Sequence, residues 1–417
     1  MIIYFIFLTI VIHKYVTVPT ENILIIDGKY KVRDFDYYMI IIKSYFDGDI
    51  NTIYDKKSQI IALNNFFGLE TDVAMPLGIS PTALFIWLPF ALIFELNRSL
   101  SYTVWVSFSI LAFTIALTKS FRYALYKNKM MIPWLLIRLL LFIFSITMIA
   151  CVILGQTTLM ACAFLMFLII EIFKAKDEKR FLRPWVVYSI VFFLSIKLPY
   201  IILGIGMLIV FGYMFESFIS ILVIAATFVL IGIWRGIPLY QDWFQQLAVF
   251  SSSIFPDHYP IESILDTIIN FRSAFSIFFG SDITIAVSKS FIIIGVILIF
   301  FISFVRSMYP LSLQKITSKT TPQQITVLLF AIFLLFMPYF GAYEDLLMIV
   351  LYIISALSIA RHKSSTIYNV FIAICLCFVL NYRLFPHQKL VLIFWWMKFA
   401  VFGSLFINLK GEKYLRI

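Results

Sequence analysis

Apolar residues run along this chain in long blocks, separated by short basic connectors and two longer polar tracts. The first block covers Ile2 to about Val18. Others fall at about 80–96, 101–118, 132–153, 157–173, 184–196, 199–214, 217–233, 284–305, 325–340, 345–360, 366–380 and 388–407. Many approach the roughly 20 residues with which an α-helix crosses a bilayer core. The pattern predicts an all-α, polytopic integral membrane protein with roughly 11–13 transmembrane helices. Several blocks are short, so some are expected to be half-helices or to share one crossing. The chain opens Met1-Ile2-Ile3-Tyr4-Phe5, without the basic start or small-residue cleavage site of a secretory signal. The first block therefore reads as a retained membrane helix.

The first polar tract, 20–78, is not plain coil. Phe35, Tyr38, Met39, Ile42, Tyr45 and Phe46 recur at helical spacing, with Asp36, Lys43 and Asp47 off that stripe. This predicts an amphipathic helix in the membrane interface, ended by Gly48-Asp49. A second short amphipathic stretch is expected from about Lys57 to Phe67. Pro76, Gly78 and Pro81 then turn the chain back into the bilayer. The second long tract is 234–283.

Basic connectors mark the cytoplasmic side of a membrane protein. Here they are Lys119–Lys129, Lys174–Arg183, Arg306 with Lys315 and Lys319, Arg361–Lys363 and Lys410–Arg416. The opposite side then receives the tract 20–78, Gly155-Gln156, Lys197-Leu198-Pro199, the tract 234–283, the turn Gly341–Asp345 and Asn381–Gln388. Two full spans at 80–96 and 101–118 would break this alternation. Either one of them stops short of crossing or an early connector defies the charge rule.

Composition strengthens the membrane reading. Of 417 residues, 62% are hydrophobic and 13% charged, and the mean hydropathy is +0.98. A soluble domain holds roughly 45–50% apolar and 25% charged residues. The net charge of +11 lies in the short connectors, and no long basic face exists for nucleic acid. Cys151, Cys162, Cys375 and Cys377 all sit inside apolar blocks and make no disulfide framework. No stretch can form an α/β nucleotide-binding domain. A donor reachable from the membrane, hence a lipid-linked substrate, is favoured.

Chemistry needs charge, and Arg33-Asp34-Phe35-Asp36-Tyr37-Tyr38 concentrates it between apolar blocks. Asp34 could act as general base on a sugar hydroxyl; the competing role is an ordinary helix N-cap. Lys197 interrupts an apolar block. It could hold a lipid phosphate as a point charge or simply snorkel to the interface. Glu344 and Asp345 open a late block and could orient a sugar, or only complement a helix dipole. Asp47-Gly48-Asp49 has the spacing of a DxD metal motif, but without its α/β domain it reads as a solvated turn. The four histidines show no metal spacing. In 234–283, Trp234, Arg235, Tyr240, Asp242 and Trp243 suit a saccharide or lipid-phosphate surface, or interfacial anchoring.

Taken in order, these residues resemble the GT-C class of multi-spanning glycosyltransferases, and within it glycosyltransferase family 87. The series comprises Asp34-Phe35 with Tyr37-Tyr38, then Gly48 with Tyr54-Asp55, then Pro76, Pro81 and Pro89. Gly155-Gln156, Lys197 with Pro199, and Tyr343-Glu344-Asp345 follow. The chain departs from the family at Met75-Pro76-Leu77-Gly78, where Tyr-x-Pro-Pro is common, and at Lys197-Leu198-Pro199, where Lys-Pro is. The resemblance implies an inverting hexosyl- or mannosyltransferase at the outer membrane face. Its donor is a polyprenyl-phosphate sugar, its acceptor a lipid or glycan hydroxyl, and it needs no metal or cofactor. It maps the catalytic base onto Asp34. Lys197, Asp36, Tyr38, Gln156, Arg235, Glu344 and Asp345 are the substrate-binding candidates. A bacterial inner membrane is the location it implies. A transporter or flippase of lipid-linked glycans stays open, as does a polymerase or ligase of such glycans.

Overall fold

The computed structural model describes residues 33–68, 79–127, 132–143, 145–236, 238–251, 274–275, 278–308, 321–336, 342–357, 366–381 and 388–409. The expected first span, the Pro76 turn, 252–273 and the connectors at 315–319, 361–363 and 410–416 lie outside these residues. Among the described residues every regular element is helical. In chain order they are α1 Asp34–Asp47, α2 Lys56–Phe67, α3 Ala83–Leu96, α4 Arg98–Lys127, α5 Ile132–Ile143, α6 Ile146–Leu154 and α7 Thr158–Asp177. Then come α8 Pro184–Leu194, α9 Leu198–Val210, α10 Met214–Arg235, α11 Pro238–Ser251, α12 Ser281–Met308 and α13 Pro322–Phe336. A 3₁₀ turn, Ala342–Leu347, leads into α14 Met348–Leu357, followed by α15 Thr366–Asn381 and α16 Gln388–Asn408.

Among the described residues, five stretches are long and apolar enough to cross a membrane: Arg98–Tyr126, Thr158–Asp177, Met214–Arg235, Ile283–Ser303 and Leu390–Ile407. Shorter apolar helices pack among them, including Ala83–Leu96, Pro184–Leu194 and Leu198–Val210. Along α10 and α12, Val229, Leu230, Ile233, Ile293, Ile294, Ile297 and Phe301 are exposed. An apolar surface that continuous is costly in water and ordinary against lipid. The chain is thus a helical membrane protein.

Two basic connectors meet at one end of the bundle. Tyr123 near the end of α4 hydrogen-bonds Asp177 at the end of α7, and the Lys174 ammonium lies 5.8 Å from the Tyr123 ring centroid. There too Glu171 accepts from Arg180 at 2.7 Å and from the Arg183 backbone N–H at 3.0 Å. The opposite end collects the starts of α1, α4, α7 and α9.

The length of α3 bears on the parity conflict around 80–118. α3 begins at the α8–α9 turn, where the Ser80 N–H donates to Ile196 O at 2.9 Å and Thr82 Oγ1 donates to Ser195 O at 2.7 Å. Its far end meets α4 at Asn97, beside Arg98, which pairs with Asp36 of α1. The 14 residues of α3 reach ~21 Å, short of a bilayer core. α4, with 30 residues, is long and apolar enough to cross.

One expectation needs correcting. α1 is not an interfacial helix with one wet face. Phe35, Asp36, Tyr37, Met39, Ile40, Ile41, Ile42, Ser44 and Tyr45 are all buried. The rings of Tyr38 and Trp87 on α3 stand 4.7 Å apart, and those of Phe35 and Trp105 on α4 stand 6.1 Å apart. α2 closes a third side, where Tyr37 donates to Gln59 Oε1 at 2.8 Å. Only Asp34, Tyr38, Lys43 and the C-terminal end keep access to the outside. α2 itself matches its expected position and is capped by Asp55, which accepts from the Ser58 N–H at 3.0 Å.

Gly155 locks α1 to the α6–α7 junction. It ends α6 with φ +67°, and a Cβ there would stand 2.7 Å from Phe35 Cβ. Trp105 Nε1 donates to Gly155 O at 2.9 Å, and Tyr102 donates to Val152 O at 2.8 Å. Gly155→Ala is expected to destabilise the protein by roughly 2–4 kcal/mol, from the left-handed backbone and the overpacking together. A thermal melt in detergent reads this; an unchanged midpoint would refute the tight contact.

Candidate functional site

Most of the residues singled out by sequence occupy the starts of helices at one end of the bundle. Asp34 is the first residue of α1, Gln156 stands two residues before α7, Lys197 is the N-cap of α9, and Glu344 and Asp345 lie in the 3₁₀ turn. Helix starts carry partial positive charge and unpaired N–H groups, so they favour anions. That explains how carboxylates tolerate this partly desolvated place.

Gln156 is the hub between α1 and α7. Its Nε2 donates to Asp34 Oδ2. Lys197 Nζ lies 3.2 Å from Glu344 Oε1, and the Tyr200 hydroxyl approaches the same oxygen at 3.4 Å. Tyr200 also meets Thr158 Oγ1 at 2.9 Å, which ties the Glu344 group back to the start of α7. Tyr38 is close enough to Asp34 and Glu344 to feel both charges. Burial first, then the charges of Asp34 and Glu344, push its phenol well above the usual value. It therefore stays protonated and can donate a hydrogen bond at any physiological pH.

Two acceptor atoms in this group lack donors among the described residues. Gln156 Oε1 and Glu344 Oε2 are buried without a hydrogen-bond partner, on residues only 3% and 2% exposed. Orphaned buried acceptors are costly unless something donates to them. Asp34, by contrast, is half-buried, so one face of the group opens outward.

Three candidates do not join this group. Asp36, 0% exposed, receives Arg98 at 2.9 Å and lies 3.7 Å from Arg33 Nε. The Arg33 guanidinium in turn sits 3.9 Å over the Tyr102 ring. Two guanidiniums meet the Asp36 Oδ2 atom and clamp the start of α1 to α4. Among the described residues Oδ1 is left without a partner, but it is fully buried, away from any substrate. Asp345 turns to Lys398 of α16 in an ion pair buried on both sides. Arg235 ends α10 and packs on Tyr45 and Phe46, at the far end of α1 from Asp34.

The capping roles also resolve. The N-cap of α1 is Arg33, in extended backbone, and no side chain caps the helix. Asp34 sits one residue inside, its carboxylate held by Gln156 across the bundle. Asp47 pairs with Lys43 at 2.5 Å, and Gly48 ends α1 at φ 85°. The Asp47-Gly48-Asp49 motif is thus a solvated helix end, and no metal-binding group occurs among the described residues.

Sequence reasoning passed over Arg33, Arg98, Thr158, Tyr200 and Lys398. Lys398 carried the same signal as Lys197, a lysine inside an apolar block. Tyr200 carried none, because a tyrosine after Pro199 is ordinary at a membrane helix start.

The chain matches no family model, no curated protein and no solved structure. The functional reading therefore rests on the residues themselves.

Proposed function

We propose that the protein is a membrane glycosyltransferase of GT-C type. It would move a hexose, mannose by the resemblance, from a polyprenyl phosphate to a lipid or glycan hydroxyl at the outer face. The observation that carries this is the meeting of Asp34 with Gln156 and of Lys197 with Glu344 across residues distant in sequence.

Asp34 Oδ takes the proton of the acceptor hydroxyl as that oxygen bonds the anomeric carbon. The bond from that carbon to the phosphate oxygen breaks, and its electron pair leaves with the phosphate. Attack from the face opposite the phosphate inverts the anomeric centre. Gln156 fixes the Asp34 carboxylate by donating to one oxygen. Lys197, with the helix starts around it, offsets the charge gathering on the leaving phosphate. Sugar hydroxyls are suited to the orphaned acceptors Gln156 Oε1 and Glu344 Oε2, and the protonated Tyr38 to a sugar or phosphate oxygen. Among the described residues, Asp34, Lys197 and Glu344 stand at helix starts at one end of the bundle, which suits catalysis on a substrate met there.

Lys197→Ala is expected to weaken affinity for a polyprenyl-phosphate sugar about tenfold or more, as a charge-assisted contact is lost. Equilibrium binding of a radiolabelled donor to the purified variant measures this. Unchanged affinity would remove Lys197 from the site.

A further inference from the structure

Arg235 is the last residue of α10, a 22-residue span, and its surroundings are unusual for a helix-end arginine. Its guanidinium carbon lies 4.3 Å from the Trp234 ring centroid, 4.5 Å from Phe46 and 4.8 Å from Tyr45. Trp234 is itself stacked on Phe85 of α3 at 5.5 Å. Three elements, α1, α3 and α10, thus build one aromatic cradle around one cation. Yet Arg235 forms no ion pair among the described residues, and its Nε–H is buried without a partner. Asp242 acts on Tyr45 electrostatically but makes no ion pair with Arg235.

Depth supports a headgroup position. α9 and α10 are joined by the tight turn Phe211–Tyr213 at the basic end, where Phe211 lies beside Lys176. They run antiparallel, α9 with 13 residues and α10 with 22. The nine-residue difference, at 1.5 Å each, places Arg235 about 13 Å farther from the basic end than Lys197. A span of 22 residues reaches ~33 Å, the thickness of the hydrocarbon core. Arg235 therefore stands at headgroup level, with the Asp34 group recessed below it and displaced along α1.

We propose that Arg235, held by Tyr45, Phe46 and Trp234, is a binding site for the phosphate of an anionic membrane lipid. A guanidinium packed on rings keeps its edge donors free, and that planar fork fits two phosphate oxygens. The rings also shield it from water, which strengthens its attraction for an anion. This site stands apart from the Asp34 group and does not depend on the glycosyl-transfer reading. The plainer role, a cation snorkelling at a helix C-terminus, predicts effects on stability alone.

The test is native mass spectrometry of the full chain in detergent. Phosphatidylglycerol, phosphatidylcholine and undecaprenyl phosphate are titrated against wild type, Arg235→Gln and Arg235→Lys. Wild type is expected to retain phosphatidylglycerol about tenfold over phosphatidylcholine. Arg235→Gln is expected to lose that preference, and Arg235→Lys, with charge but no fork, to keep part of it. If undecaprenyl phosphate displaces phosphatidylglycerol from wild type but not from Arg235→Gln, the occupant is a polyprenyl carrier. If only phosphatidylglycerol depends on Arg235, it is bulk phospholipid. Equal retention by wild type and a folded Arg235→Gln would overturn the proposal. So would a wild type without preference, an outcome readable even if Arg235→Gln fails to fold.

Discussion

Replacing Asp34 by asparagine is expected to lower glycosyl transfer by roughly 10²–10⁴-fold, the usual worth of a positioned base. The substitution preserves size and leaves an amide oxygen to accept from Gln156 Nε2. It removes only the group that can take a proton. The stability cost should be small, about 0.3–1 kcal/mol from losing a carboxylate in the first turn of α1. Asp36, two residues on, cannot substitute, because Arg98 and Arg33 hold it in a buried clamp. Initial rates with a fixed donor, beside a thermal melt of each protein, separate the two effects. A loss of only a few-fold in a folded variant would take the base role from Asp34.

The largest stability effect is expected at Lys398. Its ammonium and the Asp345 carboxylate are 3% and 2% exposed, so neither has water to fall back on. Lys398→Ala strands a carboxylate inside the bundle and should cost about 3–5 kcal/mol. Asp345→Asn in the same chain removes the stranded charge, and the double variant should recover a large part of that loss. Chemical denaturation midpoints in detergent measure both. Equal stability of Lys398→Ala and wild type would mean that the pair does not fasten the 3₁₀ turn to α16. The pair also bears on the site, since Glu344 is the neighbouring residue of that turn. Loss of Lys398 should therefore disturb the Lys197–Glu344 contact as well.

The helical character of the chain was legible at once, because apolar blocks of this length have no other use. Of the basic connectors, those after α4 and α7 meet at one end of the bundle. Two features were harder to read. α3 looks like a span because its block is apolar from 80 to 96, but the helix itself holds 14 residues and stops at Asn97. Nothing in hydropathy separates a half-helix from a crossing when both are greasy throughout. α1 looked amphipathic because Asp36 and Lys43 fall off the apolar stripe. The run Met39-Ile40-Ile41-Ile42, apolar on every face, was the contrary signal, and Asp36 is buried because two arginines meet it.

For the candidate site, sequence marked residue types and left their partners open. Asp34, Gln156, Lys197 and Glu344 stand far apart along the chain, and their meeting depends on which helix ends come together. Each sits at a helix start, so local reading supplies a capping role for each, and only tertiary contact distinguishes capping from a shared site. The pairing of Asp345 with Lys398 and not with Lys197 follows from the two neighbouring residues pointing different ways from one turn. No sequence spacing encodes that choice.

The most direct measurement is glycosyl transfer by the purified wild-type protein, offered a panel of radiolabelled polyprenyl-phosphate sugars with extracted membrane acceptors. Consumption of one donor, with inverted configuration in the product, is the predicted result. Failure of every donor by a folded protein that moves a lipid-linked sugar across proteoliposomes without forming a bond would contradict it.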